Sequence, residues 1–183
     1  MRDSEIRKVI EIFQREHAAW VLVGAHAVGM LTRPRATANV DFIVDSAAIP
    51  RVIAALATEF GDLRSRDVGG AIELAALDVD IIHSANHPLF REAIDLARPH
   101  GDWQVPPAEV LIALKFLAAI SPWRARDRKA QDMVDLRSIY LTVGAPQLDL
   151  PILHRLGGLA YPDADREFRT LIERLDRGEP IAI

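Results

Sequence analysis

The sequence predicts an α/β chain of the α+β kind, with an α/β core over residues 1–104 and a helical part over residues 105–183 packed on that core. Three observations lead there. An apolar run at residues 20–23 stops at Gly24, as a buried strand does before a turn. Residues 39–45 alternate, with Val40, Phe42 and Val44 on one face and Asn39, Asp41 and Asp45 on the other, the period of a half-buried strand. Past a composition break at residues 101–107, only helical spacing recurs.

In chain order, residues 4–17 place Ile6, Val9, Ile10 and Phe13 on one helical face, behind Asp3 and Ser4 as capping candidates. The strand at 20–23 turns at Gly24 into a helix from Ala25 to Leu31. Pro34 ends that helix, and residues 33–38 form a connecting loop before the strand at 39–45. Pro50 opens a helix through Val52, Ile53, Leu56 and Phe60 that Gly61 closes. Gly69-Gly70 marks a turn, and residues 71–77 and 79–84 read as two strands joined at Asp78 in a hairpin. Residues 88–98 are helical in pattern, with Phe90, Ile94 and Ala97 on one side. After Pro106-Pro107, residues 109–120 are apolar nearly all round, a central buried helix interrupted by Lys115 alone. Residues 126–141 form another helix, and Phe168, Leu171, Ile172 and Leu175 mark a last one that Gly178 terminates.

Composition narrows the function classes. Half of the 183 residues are hydrophobic and 26% are charged, the balance of a folded globular chain. The net charge of -4 disfavours general coating of DNA, so any nucleic-acid contact needs a local basic patch. With no cysteine there is no disulfide, thiolate zinc site or cysteine nucleophile. The N-terminal residues lack the apolar core and cleavage site of a secretory signal. The runs VLIAL and FLAAI, separated by Lys115, are too short to span a bilayer. A cytoplasmic chain without membrane contact is expected.

Several residues can carry chemistry. A strand that ends in Gly24 and enters a helix presents unpaired N–H groups and a positive dipole end, a cradle for phosphate oxygens in which Gly24 and Ala25 are the contact positions. The bland alternative is a glycine chosen for a tight turn. Asn39 and Asp41 leave the same face of one strand and can converge on a cation, with Asp80 as a third ligand. Otherwise they form the polar edge of an amphipathic strand. Asp78 shares the strand parity of Asp80, but Asp80 sits inside the apolar run of Val79, Ile81 and Ile82, where a carboxylate needs a partner. Lys115, an ammonium on an apolar helix, must snorkel or be paired. Asp132 and Asp135 share a helix face, and surface pairing of Asp132 with Arg128 or Lys129 is the plain alternative to a functional role. Arg124, Arg126, Arg128 and Lys129 cluster where they can hold RNA phosphates or simply form a solvated face. The six histidines show no metal spacing.

The segment VLVGAHAVGMLTRPRATANVDFIVD resembles the signature of the nucleotidyltransferase superfamily related to DNA polymerase beta. Members carry a Gly-Gly or Gly-Ser pair at a strand end, an Arg-x-Thr loop, and Asp-x-Asp on the next strand. Gly24-Ala25, Arg35-Ala36-Thr37 and Asn39-Val40-Asp41 stand at those places here. Residues 105–115 and 129–136 are most similar to the AbiEii-type abortive-infection toxins. The resemblance implies a small mixed sheet flanked by helices, and transfer of a nucleotidyl group from a nucleoside triphosphate to RNA or protein. It also implies Mg2+ or Mn2+ held by Asn39, Asp41 and Asp80, and phosphate contacts from Gly24, Ala25, Arg35, Thr37 and Lys115. Asp41, Asp80, Lys115 and Asp132 become the catalytic candidates. A toxin role with a cognate antitoxin would follow from the closest subgroup.

The sequence departs from the pattern twice: Ala25 lacks the hydroxyl of Gly-Ser, and Asn39 replaces the first aspartate. The second departure opens a rival, a nucleotide-binding or antitoxin-like module of the same fold without turnover. A third class, modification of a small molecule as in aminoglycoside nucleotidyltransferases, is compatible with the acidic charge.

Overall fold

A computed structural model describes residues 3–181, with side chains from residue 4 onward, so the expected capping by the Asp3 side chain lies outside the described part. The chain divides into two compact units, residues 1–27 with 35–106, and residues 28–34 with 107–183.

The first unit is built on a five-stranded mixed sheet of order β1-β2-β5-β4-β3. Its strands are β1 (Trp20–Val23), β2 (Val40–Val44), β3 (Ser65–Asp67), β4 (Ala71–Leu74) and β5 (Val79–His83). β2 and β5 pair in parallel and every other neighbour is antiparallel. α1 (Asp3–Arg15) buries Ile6, Val9, Ile10 and Phe13, the stripe expected from its spacing, and Ile12 beside them. Phe13 packs edge-on to Phe42 of β2 at 5.2 Å and also contacts Trp20. Trp103 stacks on Phe42 at 6.4 Å, so aromatic rings cover this sheet face. α3 (Ile49–Phe60) begins with Pro50 in its first turn and ends at Gly61, whose φ is 78°.

Three features of this unit depart from the sequence expectations. β3 consists of three exposed residues, Ser-Arg-Asp, which carry no hydrophobic alternation and hold their place through backbone pairing with β4. The helix expected at 88–98 is the shorter α4 (Pro88–Asp95), capped at Leu96, and Arg98, which precedes Pro99, is extended in a strand. Its fully buried side chains are Leu89 and Ala93, and Ala97 lies beyond its end. The stretch read as a composition break holds a hairpin, β6 (Arg98–His100) with β7 (Trp103–Val105). β7 lies beside β1.

α2 (Gly24–Leu31) begins in the first unit and ends in the second. The second unit otherwise contains α5 (Ala108–Ile120), α6 (Arg126–Val143), α7 (Leu150–Gly158) and α8 (Ala164–Asp176). α5 is buried along nearly its whole circumference and packs on α6 and α7. α7 is absent from the sequence reading. Asp149 caps it, accepting a hydrogen bond from the Ile152 N–H at 3.0 Å. A Cβ at Gly157 would fall 2.0 Å from the Phe168 ring, so the missing side chain lets α7 close on α8. Among the described residues, no helix is long and apolar enough to cross a membrane.

Candidate functional site

The strand register brings the acidic candidates together. Asp41 of β2 and Asp80 of β5 are direct partners in the parallel pair. In-register residues of neighbouring strands project from the same face, so the two carboxylates stand side by side. Both are half-buried. Asp78 is exposed in the β4–β5 turn with φ 51°, while Asp80 belongs to the strand itself.

Gly24 sits against this pair. Its φ is +66°, and a Cβ built on it would lie 1.9 Å from Oδ2 of Asp41 and 2.7 Å from its Cγ. The absent side chain is therefore filled by the Asp41 carboxylate, at the start of α2, where the helix dipole favours negative charge. The group that approaches Gly24 is thus a protein carboxylate, whereas the cradle expected at Gly24 and Ala25 was for phosphate oxygens. Ala25 beside it is buried.

Asn39, just before β2, donates from Nδ2 to Oδ2 of Asp80 at 3.0 Å. Thr37 Oγ1 donates to the Asn39 carbonyl at 3.4 Å, so the loop is tied from within. Arg35 is exposed, and its charge is felt by His26. Burial pushes the Asp80 carboxyl up from the ordinary range; the Asn39 amide opposes that, and the Glu73 charge adds to it.

Glu73 was not singled out from sequence. It is the in-register partner of Asp80 on β4, and Arg66 is in turn the partner of Glu73 on β3. A row of polar side chains thus crosses the sheet: Asp41, Asp80, Glu73, Arg66. Arg66 holds Glu73 with an Nη–Oε2 distance of 2.6 Å. The available signal was the strand pattern of residues 71–74, but register, not pattern, aligns Glu73 with Asp80. His26 was likewise not singled out, since the six histidines show no metal spacing. Burial lowers its pKa, a hydrogen bond to the Asn39 backbone opposes that, and its Nδ1 is buried without a partner among the described residues.

A cavity of about 360 Å³ lies elsewhere in this unit, lined by Arg7, His26, Thr37, Val40 and Trp103 among others. Val40 faces away from the side that carries Asp41, so this cavity is distinct from the carboxylate pair. Among the described residues, no group of three or more His, Asp or Glu is arranged to hold a metal ion. Two carboxylates with an amide beside them still suit magnesium, which takes one or two protein carboxylates and completes its shell with phosphate and water.

Lys115 and Asp132 belong to the second unit. The Lys115 ammonium lies 2.8 Å from Asp132 and 2.7 Å from Asp135, with side-chain exposures of 8%, 2% and 4% respectively. Arg124 contacts the other oxygen of Asp132 through Nε, and Gln131 donates to Asp135 at 2.9 Å. The structural salt bridge weighed for Lys115 is therefore present. Asp132 pairs inward with Lys115 and Arg124 rather than along the helix surface with Arg128 or Lys129. Arg126 and Arg128 are exposed, and Lys129 is half-buried.

No protein-family model matches the sequence, and none of the curated proteins does. Solved structures do resemble the chain. A crystal structure of ANT(2″)-Ia in complex with adenylyl-2″-tobramycin aligns over 92% of this chain and 97% of its own, with a TM-score of 0.57 at 15% identity. A solution structure of the same antibiotic-resistance factor covers 96% and 95%, with a TM-score of 0.56 at 12% identity. An antigenic nucleotidyltransferase-like protein from Paracoccidioides brasiliensis covers 96% and 94%, with a TM-score of 0.53 at 16% identity. These identities carry the fold: the chain has the mixed α/β architecture of nucleotidyltransferases.

Proposed function

We propose that the chain is a metal-dependent nucleotidyltransferase that moves a nucleotidyl group from a nucleoside triphosphate to an acceptor, RNA or protein. The observation that carries this is the in-register pair of Asp41 and Asp80, with Gly24 shaped around the Asp41 carboxylate. In this proposal Asp41 and Asp80 hold Mg2+ or Mn2+, assisted by Asn39. The bound ion supplies charge neutralisation at the phosphates and a lowered pKa for the attacking hydroxyl. Gly24 and Ala25, at the start of α2, bind phosphate oxygens through backbone N–H groups. Thr37 and Arg35 keep the loop that carries Asn39 in shape. In the second unit, Asp132 orients the Lys115 ammonium. The resemblance to AbiEii-type toxins supports a toxin role, with Arg126, Arg128 and Lys129 toward RNA, Arg124 being held on Asp132, and an antitoxin as partner.

The test is label transfer. The purified protein with Mg2+ is incubated with each of the four labelled nucleoside triphosphates and with RNA or protein acceptors, beside D41A. Transfer by the wild type and none by D41A is expected. Absence of transfer from every triphosphate to every acceptor would remove the enzymatic proposal.

A second reading, a nucleotide-binding or antitoxin-like module without turnover, is favoured by one contact. Asn39 uses its amide N–H on Asp80, the bond of a neutral donor, where the family pattern has a carboxylate. Transfer activity that appears only in N39D would favour that module. ANT(2″)-Ia, captured with an adenylylated aminoglycoside, makes a small-molecule acceptor the third arm of the screen.

A further inference from the structure

We infer that the segment joining α5 to α6, with the first turn of α6, is a docking surface for a single-stranded polynucleotide, and that Trp123 is its stacking platform. Trp123 is 94% exposed, more than any other large hydrophobic side chain among the described residues. An indole left in water forgoes a large gain from burial, so the fold derives no stability from placing it there. Arg126, Arg128 and Lys129 follow in the first turn of α6. A helix N-terminus is the positive end of the dipole, where cations are disfavoured. The N-cap residue of the same helix, Ala125, makes no side-chain cap hydrogen bond. Stability therefore works against three features of one short segment.

A strand of phosphates and bases accounts for all three. Cations meet phosphate oxygens, and an open indole offers a flat face to an unpaired base of any identity. Arg124 has a different part, since its guanidinium contacts the buried Asp132 and anchors the loop to α6. Asp127 is the acid of that turn and offsets some of its charge. With a chain charge of -4, the attraction is local to this segment rather than a property of the whole surface.

The surface deepens the proposed function by naming the class of acceptor. Binding here requires neither metal nor triphosphate, so the two proposals fail separately. The test is fluorescence anisotropy with labelled single-stranded RNA of about twelve nucleotides, the matching single-stranded DNA and duplex RNA, and with polyglutamate as a polyanion without bases. Single strands are expected to bind more tightly than the duplex. W123A should weaken that binding at least about fivefold, and W123F should restore most of it. The triple variant R126A/R128A/K129A should lower the salt slope by about two. Melting of each variant checks the fold: W123A and W123F should melt like the wild type, and R126A/R128A/K129A no lower than it. No binding of single strands at low salt, or equal affinity of wild type and W123A, overturns the inference. Polyglutamate binding of equal strength with equal sensitivity to W123A also overturns it, in favour of an acidic protein partner.

Discussion

Gly24→Ala tests the site at its tightest point. Two effects are expected, and they are separable. With φ at +66°, the alanine backbone would occupy the left-handed region, at a cost of about 1–2 kcal/mol. For a chain of this length that lowers Tm by roughly 2–8 °C. The new Cβ would also lie 1.9 Å from Oδ2 of Asp41, where real contacts do not fall below 3.0 Å, so the carboxylate must move by at least about 1 Å. On the proposed reading of Asp41 as a metal ligand, a displacement of that size weakens metal binding and costs on the order of 100-fold in rate. Gly178→Ala is the control, because Gly178 has φ +67° with nothing within 4 Å of its Cβ. It should lose a similar amount of stability and none of the metal affinity. Thermal melts beside Mn2+ titrations read the two effects. A G24A protein that melts and binds Mn2+ like the wild type would refute the argument from close approach.

Replacing Lys115 with Met leaves Asp132 and Asp135 buried without their shared cation, an expected loss of about 3–5 kcal/mol by denaturant unfolding. A loss under about 1 kcal/mol would show that the ion pair does not hold α5 to α6. Gly157→Ala drives a methyl to 2.0 Å from the Phe168 ring and should cost about 1–3 kcal/mol, part of which F168L recovers in the double variant. Asp80→Asn should raise Tm at neutral pH. The folded pKa of Asp80 is raised, so the folded state retains a proton that the unfolded chain has released, and the ionised form costs the fold stability. The difference between variant and wild type should grow as pH rises through the raised value and vanish below the ordinary value near 3.8. A difference that is constant across that window would contradict the assigned cause.

The residues most legible in the sequence were those where one period dominates. β1, α2 and β2 were read within a residue of their bounds, because an apolar run, a glycine and a strict alternation leave few alternatives. β3 and β6 were not legible. Ser65–Asp67 is exposed throughout and Arg98–His100 contains a proline, so both depend on a partner strand rather than on their own side chains. α7 was legible in principle, from Asp149 followed by a proline in the first turn and an apolar stripe, yet its short length weakens the periodic signal. The same division holds at the candidate site. Asp41 and Asp80 were nameable from parity and burial, whereas Glu73 required the register of a third strand. The internal pairing of Lys115 was open in sequence because two carboxylates at helical spacing specify a face, not what that face meets.

Asn39 is more than a missing carboxylate when its neighbours are considered together. Asp80 already stands beside Asp41 and Glu73 in the sheet, and burial disfavours its charge. The Asn39 amide is the group that favours the ionised form, by donating to it. An aspartate at position 39 would add a further negative charge next to Asp80 and remove that donor, so the pair would take up a proton over a higher pH range than the native site does. A carboxylate gained at position 39 is then partly offset by a proton gained at Asp80. The offset disappears once a divalent cation neutralises the cluster, so N39D should lose more of its metal affinity than the wild type as pH falls. On the proposed reading, the neutral residue holds the Asp80 pKa below where burial alone would put it before any cation is bound, a role that the count of acidic groups alone does not reveal.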